Sequence, residues 1–154
     1  MVGEVEKRLA DAGIRLPAAP APAGNYVPVV VTGRLAAVSG QIASRDGQVA
    51  VKGKLGADVG VEQCYEAAKL CAINILAQLK AAIGDLDRVT RCVRLGGFVN
   101  CTPDFVDQPK VVNGASDVMA LAFGPAGKHA RAAVVAPSLP LGTAVEVDAL
   151  FEIS

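Results

Sequence analysis

Within the apolar closing segment HARAAVVAPSLPLGTAVEVDALFEIS, residues 129–154, an arginine, Arg131, stands among residues that read as core strand, and fifteen residues later Glu146 does the same. The planar fork of an arginine binds a carboxylate through two parallel hydrogen bonds, which suits it to holding a small organic acid in one orientation. A carboxylate beside such a site orients and polarises a water, or takes and returns a proton. The only histidine of the chain, His129, stands two residues before Arg131; at a cleft it supplies a hydrogen bond or a titrating group. Strand alternation groups Val145, Val147, Ala149, Phe151 and Ile153 on one face, with Glu146, Asp148, Leu150 and Glu152 on the other. In ARAAVVA it groups His129, Arg131 and Ala133 against Ala130, Ala132 and Val134. The expectation is that Arg131 and Glu146 share the sheet face turned away from the helices. A structural ion pair and a ligand pocket both fit that spacing.

The elements that must position these residues are read from periodicity. Residues 3–12 predict a short helix, with Val5, Leu9 and Ala12 at helical spacing, followed by Gly13, Pro17 and a PAAPAPAG linker. The division expected is therefore an N-terminal helix and linker, 1–23, ahead of one domain, 24–154. NYVPVVVTG and LAAVSGQIA predict a hairpin turning at Gly33 and Arg34, and Val49–Lys52 a short strand in a polar loop. Val61, Cys64, Ala68, Cys71, Ile75, Leu79 and Ala82 advance by three or four and predict a long helix stopped by Gly84. VTRCVRLGGFVN, 89–100, reads as a strand, and its Gly96-Gly97 pair predicts a bulge or a close approach. A second helix is predicted over Val111–Ala122, ended by Gly124 and Pro125, and two strands complete the chain. The order β-β-(β)-α-β-α-β-β implies an α+β two-layer sandwich with both helices on one face of a mixed sheet.

Composition narrows the function. The 154 residues suit one compact domain. Fifteen basic and fifteen acidic residues cancel, so no global field draws the chain to nucleic acid or an anionic membrane. A hydrophobic share of 52% with 19% charged residues and a mean hydropathy of +0.40 is apolar for such a domain, and no apolar run reaches the roughly 18 residues of a membrane span. The excess implies surface buried between subunits. Cys64, Cys71, Cys92 and Cys101 form no CxxC pair, so neither metal nor disulfide is expected, and reduced thiols point to the cytoplasm.

Asn25 through Gln41, the Asp104-Phe105 pair, ARAAVV from Ala130 and the closing LPLGTAVEVDAL together resemble the Rid family of reactive-intermediate deaminases, also called YjgF and often labelled endoribonuclease L-PSP. The resemblance spans about residue 20 to the C-terminus. It implies a chorismate-mutase-like fold, a homotrimer with ligand sites between subunits, and cofactor-free hydrolysis of enamines and imines such as 2-iminobutanoate and 2-iminopropanoate to 2-oxo acids and ammonia. By position, Arg131 matches the arginine that binds the substrate carboxylate and Glu146 the acid that orients water. Tyr26, Ser39, Gly40 and Asn113 match further residues lining the cleft. His129 stands where the family pattern has proline. Ala133 stands where it has cysteine, leaving only backbone contacts to substrate. The alternatives weighed are a carboxylate-binding trimer without turnover and, last, a ribonuclease, which zero net charge and 4% aromatics disfavour.

Overall fold

The computed structural model describes residues 2–154. Helix α1, Glu4–Asp11, precedes strands β1, Val29–Thr32, and β2, Leu35–Ile42, and a small ladder of β3, Ser44–Arg45, with β4, Gln48–Val49. Helix α2, Val61–Ile83, strand β5, Val89–Asn100, helix α3, Gln108–Phe123, and strands β6, Ala130–Ala136, and β7, Val145–Ile153, complete the chain. The main sheet has the order β1-β2-β7-β5-β6. Every pair in it is antiparallel except β5 with β6, which α3 connects as a parallel crossover. The predicted order of elements and the α+β layering therefore hold.

α2 lies over β2 and β7, and α3 over β5 and β6. Between them and the sheet lies a core that includes Leu76, Leu79, Leu95, Val99, Met119, Val147 and Phe151. α2 is buried around more of its circumference than one amphipathic face would need: Leu76, Ala77 and Gln78 are covered as well as Ile75 and Leu79. The N-terminal segment covers part of the helix layer. Val5 and Leu9 of α1 bury against the helix layer, Glu6 pairs with Lys80, and Gln78 Nε2 donates to the Pro20 carbonyl at 2.6 Å. Ala82, expected inward, is exposed.

The Gly96-Gly97 pair is a close approach and not a bulge. Its register with both neighbours is continuous, and the irregularities of β5 fall at Val89–Arg91 and Cys92–Arg94. A Cβ on Gly97 would lie 2.5 Å from the side chain of Val112, so glycine lets α3 settle on the strand. The sheet face away from the helices is uncovered in the single chain. It exposes Val30, Leu35 and Val134 around an Arg94–Asp148 ion pair at 3.6 Å.

The first amides of α1 have no cap from Gly3. The carboxylate of Asp87 replaces it, Oδ2 accepting from the Glu4 amide at 2.8 Å and Oδ1 from the Val5 amide at 2.9 Å. These bonds hold the Asp87 carboxyl below its ordinary range. Asp87→Ala is expected to cost about 1 kcal/mol, as loss of a cap does, and to lower Tm by about 3 °C. Because the folded carboxyl is shifted down, its contribution is complete above the ordinary aspartate pKa and is lost as pH falls through the lowered value. Thermal unfolding followed against pH should show the gap between wild type and variant closing in that acidic window.

Candidate functional site

Arg131 belongs to the helix face, contrary to the expectation that it shares the open face with Glu146. In the parallel pairing it stands beside Leu95, which is fully buried under the helices, and neighbours in register project to the same side. Its guanidinium reaches α3. Nη1 donates to Asn113 Oδ1 at 2.8 Å and to Ser116 Oγ at 3.0 Å, and Nη2 donates to the Pro109 carbonyl at 3.3 Å. Three of the five N–H groups are thereby engaged. Nε–H and one Nη2–H have no partner among the described residues.

Asn113 and Ser116 lie three residues apart, and so on one side of α3. Sequence reasoning included Asn113 and missed Ser116. The available signal was a polar pair at i, i+3 on a helix whose buried positions, Val111, Val112, Ala115, Val118 and Met119, leave that side free. His129 joins the same cluster. Its Nδ1 lies 2.6 Å from the Gly127 carbonyl and its Nε2 lies 2.8 Å from Ser116 Oγ, so both ring nitrogens are engaged within the chain. An open groove of about 410 Å³ passes the ring, lined also by Arg91, Lys128 and Glu152. Ala133, opposite Gly97, packs against the core on the helix face and brings no functional group.

Glu146 occupies the other face. It stands opposite Phe98 and Ile42, between the buried Val145 and Val147. Around it the structure collects Gly40, Ser39 and the segment that carries Tyr26. The register of β2 against β7 shifts between Val38 and Gln41, which makes Ser39-Gly40 an irregularity beside the acid. A Cβ on Gly40 would come within 2.8 Å of Glu146 Oε2, so any side chain there would displace the carboxylate. Ser39 Oγ donates to the Val27 carbonyl at 2.9 Å and its amide to the Pro28 carbonyl at 2.9 Å, which ties the segment after Tyr26 to the strand. Tyr26 itself is exposed, its hydroxyl accepting from the Ala23 amide at 3.4 Å. Burial, then the neighbouring Asp148 carboxylate, pushes the Glu146 carboxyl above its ordinary range.

Two clusters result, one cationic at α3 and β6 and one anionic at β2 and β7, on opposite faces of one sheet. Among the described residues neither Arg131 nor Glu146 enters an ion pair. An intrachain structural bridge between them is therefore excluded. The cysteines are all buried, and burial lifts the thiols of Cys64 to about 11 and Cys92 to about 12. Such groups are packing residues rather than nucleophiles.

Fold and clusters together define a class: a two-layer α+β protein with a mixed five-stranded sheet, carrying two separated, oppositely charged clusters. The family model described as "YjgF/chorismate mutase-like, putative endoribonuclease" matches residues 6–153, and the chain belongs to that family. It is 48% identical over 153 residues to Protein TCP17 of Trypanosoma cruzi, covering 99% of this chain and 96% of that one. A crystal structure of an Agrobacterium tumefaciens protein of unknown function is similar with a TM-score of 0.92 and 48% identity, over 97% of this chain and 92% of that one. One from Shewanella oneidensis, titled a putative endoribonuclease, has a TM-score of 0.94 and 37% identity, over 98% of this chain and 100% of that one. No helix of the described residues is long and apolar enough to cross a membrane.

The raised Glu146 carboxyl has a consequence for stability. The folded state binds this proton more tightly than the unfolded chain. Its contribution is complete below the ordinary glutamate pKa and is lost as pH rises through the raised value. At neutral pH Glu146→Gln is therefore expected to raise Tm by about 2 °C, the shift produced by a fraction of a kcal/mol in a chain of this size. Calorimetric scans should show the advantage vanishing as pH falls through the carboxylate range.

Proposed function

We propose that the chain hydrolyses small carboxylate-bearing imines and enamines to 2-oxo acids and ammonia, in a site assembled from the cationic cluster of one subunit and the anionic cluster of the next. The observation that carries this reading is the pair of opposite charges with no ion-pair partner among the described residues, Arg131 with two N–H groups of its fork unpartnered and Glu146 with its carboxyl pushed up. Opposite faces keep them apart in one chain, whereas a neighbouring copy can bring them together. The apolar open face around Glu146 is the surface such a neighbour would cover, and the homotrimer of the Rid resemblance supplies the arrangement.

In that site the Nε–Nη2 edge of Arg131 holds the substrate carboxylate, and Asn113 and Ser116 hold the guanidinium. Tyr26 and the Ser39-Gly40 backbone wall the side near Glu146. Glu146 accepts a proton from water as the water oxygen bonds to the imine carbon. The C=N electron pair moves to nitrogen, which takes the proton from the Glu146 carboxyl. In the resulting carbinolamine the hydroxyl proton passes by way of Glu146 to the amino nitrogen as the C=O bond forms and the C–N bond breaks, so ammonia leaves and the carboxylate is restored. A carboxyl held above its ordinary range is closer to the pH at which it both takes and returns a proton. None of these steps calls on a cofactor.

A second reading, carboxylate binding without turnover, is favoured by Ala133, which offers no thiol. The endoribonuclease label finds less support: net charge is zero, and the open-face arginines Arg94 and Arg34 pair with Asp148 and Glu152 rather than forming a free basic stripe.

The test couples the purified protein to an amino-acid dehydratase and follows 2-oxo acid release. Wild type is expected to accelerate release, Arg131→Ala to abolish both acceleration and 2-oxobutanoate binding, and Glu146→Gln to keep binding while losing about 10²-fold or more in rate. Binding without acceleration in wild type would select the second reading; full activity of Arg131→Ala would sink both. Gly40→Ala, which displaces the Glu146 carboxylate, is expected to lower kcat by about tenfold or more with little change in carboxylate affinity, read by steady-state kinetics.

A further inference from the structure

We propose that Ser116 and His129 are positioning residues which aim the Arg131 guanidinium and make its hold on a carboxylate depend on pH. The proposal rests on the reading of Arg131 as a carboxylate-binding group and adds to it two residues that need not touch the ligand.

Hydrogen-bond polarity orders the cluster. The Gly127 carbonyl can only accept, so the 2.6 Å contact requires a proton on His129 Nδ1. In the neutral ring Nε2 then carries a lone pair and accepts the Ser116 hydroxyl proton across 2.8 Å. With its proton turned to the imidazole, Ser116 Oγ presents lone pairs to Arg131 Nη1 at 3.0 Å. Each link has a donor and an acceptor, from guanidinium to hydroxyl to imidazole to backbone.

The chain of bonds is fixed against α3 at two points. Ser116 lies within the helix, and Gly127 sits so close under it that a Cβ there would fall 2.2 Å from the Met119 carbonyl oxygen. Together with Asn113 Oδ1 and the Pro109 carbonyl, Ser116 gives the guanidinium three acceptors, enough to fix its plane and leave the Nε–Nη2 edge for a ligand.

Protonation of His129 reverses one link. Both ring nitrogens then donate, so Ser116 Oγ receives hydrogens from two cations and its own proton loses its acceptor. The charged groups that line the groove with His129 are Arg91 of β5, Lys128 from the connection before β6 and Glu152 of β7, and Arg131 is itself cationic. The guanidinium is driven from Ser116 and the carboxylate site loosens.

The measurement is 2-oxobutanoate binding by titration calorimetry from a pH of about 8 to about 5.5, the span over which a histidine gains its proton. Wild-type affinity is expected to fall on acidification. Ser116→Ala should bind about tenfold more weakly at neutral pH, the scale of one hydrogen bond to a charged group, with a flat profile. His129→Gln, whose amide oxygen can accept from Ser116 but does not titrate, should keep neutral-pH affinity and lose the pH dependence; His129→Ala should be weak throughout. A wild-type profile that is flat or rises on acidification, or a His129→Gln profile that tracks wild type, overturns the proposal. A ligand-free arm uses the fact that the chain has a single histidine: nitrogen NMR of the imidazole should show the Nδ1–H tautomer, and the Nε2–H tautomer overturns the proposal by itself. Equal binding by wild type and Arg131→Ala would instead defeat the carboxylate reading on which it rests.

Discussion

Register along β5 is the constraint on which the rest depends. This strand pairs parallel with β6 and antiparallel with β7, so Leu95 stands between Arg131 and Ala149, and Phe98 between Val134 and Glu146. Beyond the irregularity at Cys92–Arg94, from Arg94 to Val99, the side chains of Leu95 parity meet the helices and those of Phe98 parity face away. The arginine and the glutamate are thereby assigned to different sides by pairing alone, before any local interaction acts on either. A one-residue slip of β6 would take Arg131 from its α3 partners and expose it on the open face.

The helix layer is shaped by the same demand. α3 must approach β5 closely enough to offer Asn113 and Ser116 to Arg131, and Gly97 beneath Val112 allows it. Once α2 and α3 are seated, α1 and the proline-rich segment cover part of their outer surface, through Val5, Leu9 and the Gln78 bond to Pro20. The N-terminal segment thus reaches the arginine cluster indirectly, by steadying the helix that carries its acceptors.

Much of this was legible in the sequence where a single period dominates. β5 was read at its full length because its pattern is bounded by a turn and a TPDF loop, and α2 was read to its glycine stop. What escaped was the side to which a strand turns. Alternation specifies parity but not which parity faces the helices, and in β6 the small residues Ala130, Ala132 and Ala133 give no amphipathic contrast to decide it. Arg131 was placed on the wrong face for that reason. Ser116 and the Asp87 cap escaped for another: each depends on a partner from a different element, and no local pattern encodes the pairing. Asn113, brought in by family resemblance, does lie against Arg131, though helix periodicity alone marks it only as exposed.

The separation of the two half-sites onto opposite faces bears on the symmetry of any assembly that joins them. A twofold axis brings one self-complementary patch onto its own copy, so it joins the two clusters only where a single patch holds both. Joining unlike faces is head-to-tail association, and this either closes into a ring through a suitable rotation or runs on as an open filament. Closure is then a condition for a finite assembly of that kind, and the angle between successive copies, rather than the strength of any one contact, decides whether every cluster meets its complement.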